Sequence, residues 1–185
     1  MKLFALTIMT SLVGTALSLP RNPVTLRLVS SDHALNGKTL VPNNQKRLGV
    51  YADSTNLCPQ KIITTTSTAE LHGIQCADDK DTLVAARGVS GGSAYWLELY
   101  PPWDDGLIGV ATDRYDFVVK DADKKSFLGY KFSNYETDRW VAIPVSGKPK
   151  DYDVYWWDGN WDSWDQWGKT YNATMIPVKI EIVRA

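Results

Sequence analysis

The sequence is poor in residues on which several kinds of protein depend. It has two cysteines and two histidines in 185 residues, too few thiolates for a four-cysteine zinc site and little material for a histidine-dependent triad. An excess of charge of one sign is also missing: 20 Lys and Arg stand against 21 Asp and Glu. No basic groove that tracks nucleic-acid phosphates is expected. Beyond the N-terminus no apolar run approaches the roughly 20 residues that span a bilayer, so no membrane anchor is expected. No stretch after the N-terminal segment carries a convincing helical stripe; 67–75 has room for at most one helical turn, with Ala69, Leu71 and His72 on it, and the threonines before it favour extended structure.

What is present is aromatic. Eight Trp and nine Tyr accompany a hydrophobic content of 44%, a composition that suits a folded globular protein rather than a disordered one. Lys2, the apolar run 3–13 and the small residues ending in Ala16-Leu17-Ser18 have the layout of a secretory signal peptide, with cleavage expected after Ser18. A buried N-terminal helix is the competing reading, and the lack of a polar face argues against it. Residues 19–185 then form one β-rich domain, since no polar stretch is long enough to be a linker. Export permits a disulfide, for which Cys58 and Cys76 are the only partners within the chain. Such a bridge would contribute about 3 kcal/mol through the unfolded state. Asn172-Ala173-Thr174 is a glycosylation sequon.

About ten short runs rich in β-branched and aromatic residues recur at close spacing, at 24–28, 48–51, 62–66, 83–86, 95–100, 107–111, 115–120, 127–132, 140–143, 152–157 and 176–183. Gly91-Gly92, Pro101-Pro102, Asp104-Asp105-Gly106, Ser146-Gly147 and Asp158-Gly159 separate several of them with turn chemistry. The expected fold is all-β, a single antiparallel sandwich or barrel-like domain. Asn36-Gly37 is a tight-hairpin signal. In the last run Ile176, Val178, Ile180 and Ile182 share one face, Lys179 and Glu181 the other, and Pro177 belongs at a strand start or on an edge. Leu48-Gly49-Val50 and Ile108-Gly109-Val110 are similar strand-to-turn corners rather than a repeat.

The unusual stretch is 151–167, which holds five of the eight tryptophans and five aspartates. If it begins as a strand, Tyr152, Val154 and Trp156 face a core, while Tyr155 and Trp157 face outward and Trp161, Trp164 and Trp167 follow in a loop. Indole faces beside carboxylates suit sugar rings, whose C–H faces stack and whose hydroxyls donate. Tyr155, Trp157, Trp161, Trp164 and Trp167 are therefore carbohydrate-binding candidates. Structural packing over a sheet edge or barrel end is the alternative for all five.

Other chemistry has less to rest on. Asp158, Asn160 and Asp162 have the spacing of a calcium loop's first ligands, but Ser163 and Lys169 stand where that loop needs glycine and glutamate. His33 and His72 have no nucleophile in a recognisable motif, and neither G-x-S-x-G nor H-E-x-x-H occurs. Glu70, Glu98, Glu136 and the aspartates include no pair that sequence alone can set at glycosidase separation. No catalytic residue, metal site or cofactor is expected.

Several landmarks recur in a familiar order. Leu48-Gly49 is followed by Cys58-Pro59, Leu99-Tyr100, Gly106-Leu107-Ile108-Gly109-Val110-Ala111-Thr112 and the 127–132 strand, then Trp140-Val141-Ala142-Ile143-Pro144 and Tyr152-Asp153-Val154-Tyr155. That order resembles the PhiA-like fungal cell-wall proteins, small secreted proteins linked to phialide and conidium development. The resemblance implies a non-enzymatic wall protein and carries no catalytic residues. Ile143 stands where family members have a cysteine, so a family disulfide at that position cannot form, and the tryptophan-rich run is a departure. The expectation is a secreted, wall-associated protein that contacts wall polysaccharide. A secreted interaction protein or effector, and a small glycoside-active enzyme, are the alternatives. The sequence leaves the oligomeric state open.

Overall fold

The computed structural model describes residues 24–54, 62–68, 71–76, 82–89, 94–100, 110–113, 116–131, 138–159 and 174–184. The expected signal segment 1–18, Cys58, Asn172, Trp161, Trp164 and Trp167 lie outside them. The described residues form thirteen strands and no helix: β1 (Val24–Val29), β2 (Val41–Pro42), β3 (Leu48–Val50), β4 (Ile62–Thr68), β5 (Leu71–Cys76), β6 (Leu83–Val89), β7 (Ala94–Tyr100), β8 (Val110–Asp113), β9 (Phe117–Ala122), β10 (Lys125–Tyr130), β11 (Trp140–Val145), β12 (Lys148–Trp157) and β13 (Ile176–Arg184). All pair antiparallel in one sheet, in the order β1-β4-β5-β9-β10-β13-β11-β12-β7-β6-β8, with β3 and β2 added beside β12. Extra pairings of β1 with β13 and β5 with β6 curl the sheet into a half-barrel. The all-β antiparallel expectation therefore describes the molecule.

The alternation in the sequence sets the register. Val24, Leu26 and Leu28 are buried along β1, opposite β13, where Leu28 faces Ile180 and Leu26 faces Ile182. β13 is the spine, pairing with β1, β10 and β11. Pro177 is its second residue and pairs only with β11, through Val141, where a missing N–H is tolerated. Large aromatics from separate strands fill the curl: Tyr130 of β10 lies 5.3 Å from Trp156 of β12, 5.7 Å from Tyr95 of β7 and 5.7 Å from Phe117 of β9. Trp140 donates its Nε1–H to the Leu128 carbonyl at 2.7 Å, tying β11 to β10. Tilted and edge-on ring contacts of this kind add to the burial of their area.

One local feature differs from expectation and two others add detail to it. Asn36-Gly37 does not close a two-residue hairpin. Asp32 caps a short turn, its Oδ1 accepting the Ala34 N–H and its carbonyl the N–H groups of Leu35 and Asn36. Leu35 is thereby buried in the core, and Gly37 takes the left-handed φ of 78° that lets the chain return beside Leu28. The tight two-residue turns lie elsewhere, at Asp123-Lys124 and Ser146-Gly147. Residues 71–76 form a strand, the extended structure that the threonines before them favour, and pair with β4 and also with β6 and β9. Glu181, on the outward face of β13, is 5% exposed because Arg27 and Lys125 lie over it.

Candidate functional site

The tryptophan-rich stretch begins at the C-terminal end of β12. Val154, Tyr155, Trp156 and Trp157 are all buried, so this end of the strand is covered on both faces. Val154 and Trp156 belong to the main core. Tyr155 and Trp157, expected to face solvent, are 7% and 9% exposed and form a small outer cluster with Val141. Trp96, Ala94, Ile143 and Met175 pack against that cluster, with the Trp96 ring edge-on to Tyr155 at 6.4 Å. The reason is the position of β12 between β11 and β7, whose own outward side chains are apolar at this level. An unbroken four-residue apolar run is the sequence signal of such a doubly covered strand.

Beyond Trp157 the chain is held by Arg139. The Trp157 N–H donates to the Arg139 carbonyl at 2.9 Å, and Arg139 Nη1 donates to the Asp158 carbonyl. Gly159 takes a φ of 89°, and the Arg139 guanidinium, through Nη1, occupies the space a Cβ there would need. Glycine is favoured by the backbone angle, and an added Cβ would also displace the guanidinium from the Asp158 carbonyl.

This corner opens into a groove of about 760 Å³. Trp157 and Gly159 line one part; Arg139 and Asp138 come from the approach to β11, Ser30 from the end of β1 and Lys179 from β13. An aromatic edge is thus set among a guanidinium, an ammonium, a carboxylate and a hydroxyl, the donor and acceptor set that a polyhydroxylated ring can use. Trp157 is the sequence-level candidate that the described residues bring to this groove. Tyr155 is held behind it in the outer cluster. Arg139, Asp138, Ser30 and Lys179 carried no motif, since long-range strand pairing is what gathers them.

Two other groups bear on function. Asp113 accepts from the Tyr130 hydroxyl at 3.0 Å and from the Asp116 N–H at 3.3 Å. A side-chain hydrogen bond with Asp113, then burial and the Asp113 charge, push the Asp116 carboxyl up to about 6. Burial and Asp113 push the Tyr130 phenol up as well, so it stays a donor. Among the described residues no group of three or more His, Cys, Asp or Glu is placed to hold a metal ion. Cys76 pairs its backbone with Ile62, and its expected partner Cys58 lies outside the described residues.

No family model, no curated protein and no solved structure matches the chain.

Proposed function

We propose that the protein is a secreted, non-enzymatic component of a fungal cell wall that contacts wall polysaccharide through the Trp157 groove and the tryptophan-rich stretch that follows it. One observation carries this reading. Trp157, at the head of a stretch rich in Trp and Asp, lines an open groove whose other walls supply Arg139, Lys179, Asp138 and Ser30. Sugar recognition uses that combination: an aromatic edge against the C–H groups of the ring, and fixed polar groups for its hydroxyls.

Export and wall association rest on the 1–18 leader and on the resemblance to PhiA-like proteins, both features of the sequence. The non-enzymatic reading rests on the same resemblance and on the lack of a recognisable catalytic motif in the sequence.

Co-sedimentation of the intact protein with insoluble chitin and with β-glucan tests the proposal, against a variant with Trp161, Trp164 and Trp167 all changed to alanine. Retention of the parent with loss of the variant supports it, and equal retention of both refutes the aromatic contact. Fractionation of the producing cells adds the location: detergent-resistant association with the wall is expected, whereas recovery only in the medium would favour an effector. Release of reducing sugar from either polymer would favour an enzyme.

A further inference from the structure

Strand alternation sends three side chains to one face of the sheet. Trp140, Trp156 and Val178 belong to the main core, so Arg139, Trp157 and Lys179, each adjacent to one of them in the chain, lie on the opposite face. Register sets the three in one row. Trp140 pairs with Trp156 on one side and with Val178 on the other, and the next rung carries Arg139 between Trp157 and Lys179. The hydrogen bond from the Trp157 N–H to the Arg139 carbonyl at 2.9 Å fixes the first half of that rung. All three residues line the groove.

Two cations side by side on neighbouring strands repel, and an anion between them removes that cost. The carboxylates nearest in the fold are committed elsewhere. Glu181, two residues along β13 on the same face as Lys179, holds Arg27 and Lys125. Asp138, on the groove wall, has Lys120 Nζ at 3.6 Å. The Asp158 carboxylate is buried and acts on the core: burial, followed by the Asp158 charge, pushes the Tyr95 phenol up. Among the described residues no carboxylate forms an ion pair with Lys179, which is exposed and has its ammonium 5.6 Å from the centre of the Phe127 ring. Arg139 adds a guanidinium whose orientation is set by its Nη1 donating to the Asp158 carbonyl. The groove thus presents a positive charge in line with an aromatic edge.

We propose that this groove selects sugar rings bearing an anionic substituent, a carboxylate or a phosphate ester, which sits on Lys179 beside Arg139 while the ring lies against the Trp157 edge. The inference rests on the polysaccharide reading above and adds the class of glycan to it. A neutral ring uses the aromatic edge and the polar walls alone; an anionic ring adds a charge-assisted hydrogen bond.

Titration calorimetry of the intact protein at about pH 7, where lysine is protonated and carboxylates are ionised, tests the assignment. The probes are a short soluble β-glucan, the same glucan oxidised to carboxylates at its primary hydroxyls, and the same glucan phosphorylated there. At least one anionic form should bind about fivefold or more tighter than the neutral form, with the gap closing as salt is raised. The tighter of the two anionic forms identifies the substituent. Lys179→Gln, at an exposed position, should bring the anionic-to-neutral affinity ratio to about one, and Lys179→Glu should reverse the preference. Lys148→Gln, at an exposed lysine outside the groove, should keep the parent's ratio. The inference is overturned if the three glucans bind alike, if Lys179→Gln retains the preference, or if polyglutamate, which has carboxylates and no ring, binds as tightly as the anionic glucans. Equal binding of the three glucans leaves the polysaccharide reading standing, whereas binding of none of them sinks that reading and this inference together.

Discussion

Replacing Glu181 by glutamine tests the spine of the sheet. The carboxylate sits mid-strand in β13, in register with Arg27 of β1 and Phe127 of β10. It accepts from Arg27 Nε at 3.2 Å and Nη2 at 2.8 Å, with Lys125 Nζ at 3.4 Å. Its own side chain is 7% exposed, but those of Arg27 and Lys125 are 40% and 47% exposed. The asymmetry decides the magnitude. A fully buried pair costs about 3–5 kcal/mol when one partner is removed, whereas here both cations turn to water once released, and glutamine keeps one acceptor for Arg27. The expected loss is about 1–2 kcal/mol, read as a fall of about 3–6 °C in midpoint for a domain of this size. Urea unfolding of parent and variant across pH supplies the sign. Burial raises the Glu181 carboxyl, but the hydrogen bonds and charges of Arg27 and Lys125 outweigh it and hold the group below its ordinary 4.5. Its contribution is therefore complete above 4.5 and disappears as pH falls through the lower folded value. Parent and variant should differ at neutral pH and converge in acid. A difference that stays constant or grows on acidification would refute this account, and a variant more stable than the parent at neutral pH would show that desolvation outweighs the ion pairs.

Other perturbations follow from the same contacts. Gly37→Ala should cost about 1 kcal/mol for its left-handed φ alone, since nothing lies within 4 Å of the added carbon. Gly159→Ala should cost more, because its Cβ meets Arg139 as well; thermal unfolding of the two side by side checks the order. Asp116 is raised from 3.8 to about 6, so the folded state binds more protons than the unfolded one between those values. Parental stability should fall as pH rises through that window, and Asp116→Asn should flatten the slope in urea midpoints measured across it. Trp140→Phe removes the donor to the Leu128 carbonyl and part of the core volume, and should lower stability by about 2 kcal/mol in the same assay.

Much of the fold is legible in the sequence because its signals are local. Alternation marks β1 and β13, and β-branched and aromatic runs mark most of the other strands. Where a non-local contact decides the outcome, the local signal misleads. Asn36-Gly37 has hairpin chemistry, yet Leu35 is drawn into the core and widens the loop. Leu71–Cys76 has no strong strand pattern of its own and is extended because three neighbours pair with it. A period-two pattern gives Tyr155 and Trp157 an open face because it presumes one wet side, while β11 and β7 bring Val141 and Trp96 over that side. The groove shows the same division. Trp157 is visible as an aromatic candidate, but Arg139, Ser30 and Lys179 meet it only through pairings that join the two ends of the chain.

The most direct test of polysaccharide contact is a binding isotherm on insoluble chitin and on β-glucan for the parent, Trp157→Ala and the Trp161, Trp164 and Trp167 triple alanine variant, each first shown to unfold cooperatively. The parent should be retained, and both variants should bind at least about tenfold more weakly, the equivalent of about 1.4 kcal/mol. Equal retention of all three, or no retention of the parent on either polymer, would contradict the proposed function.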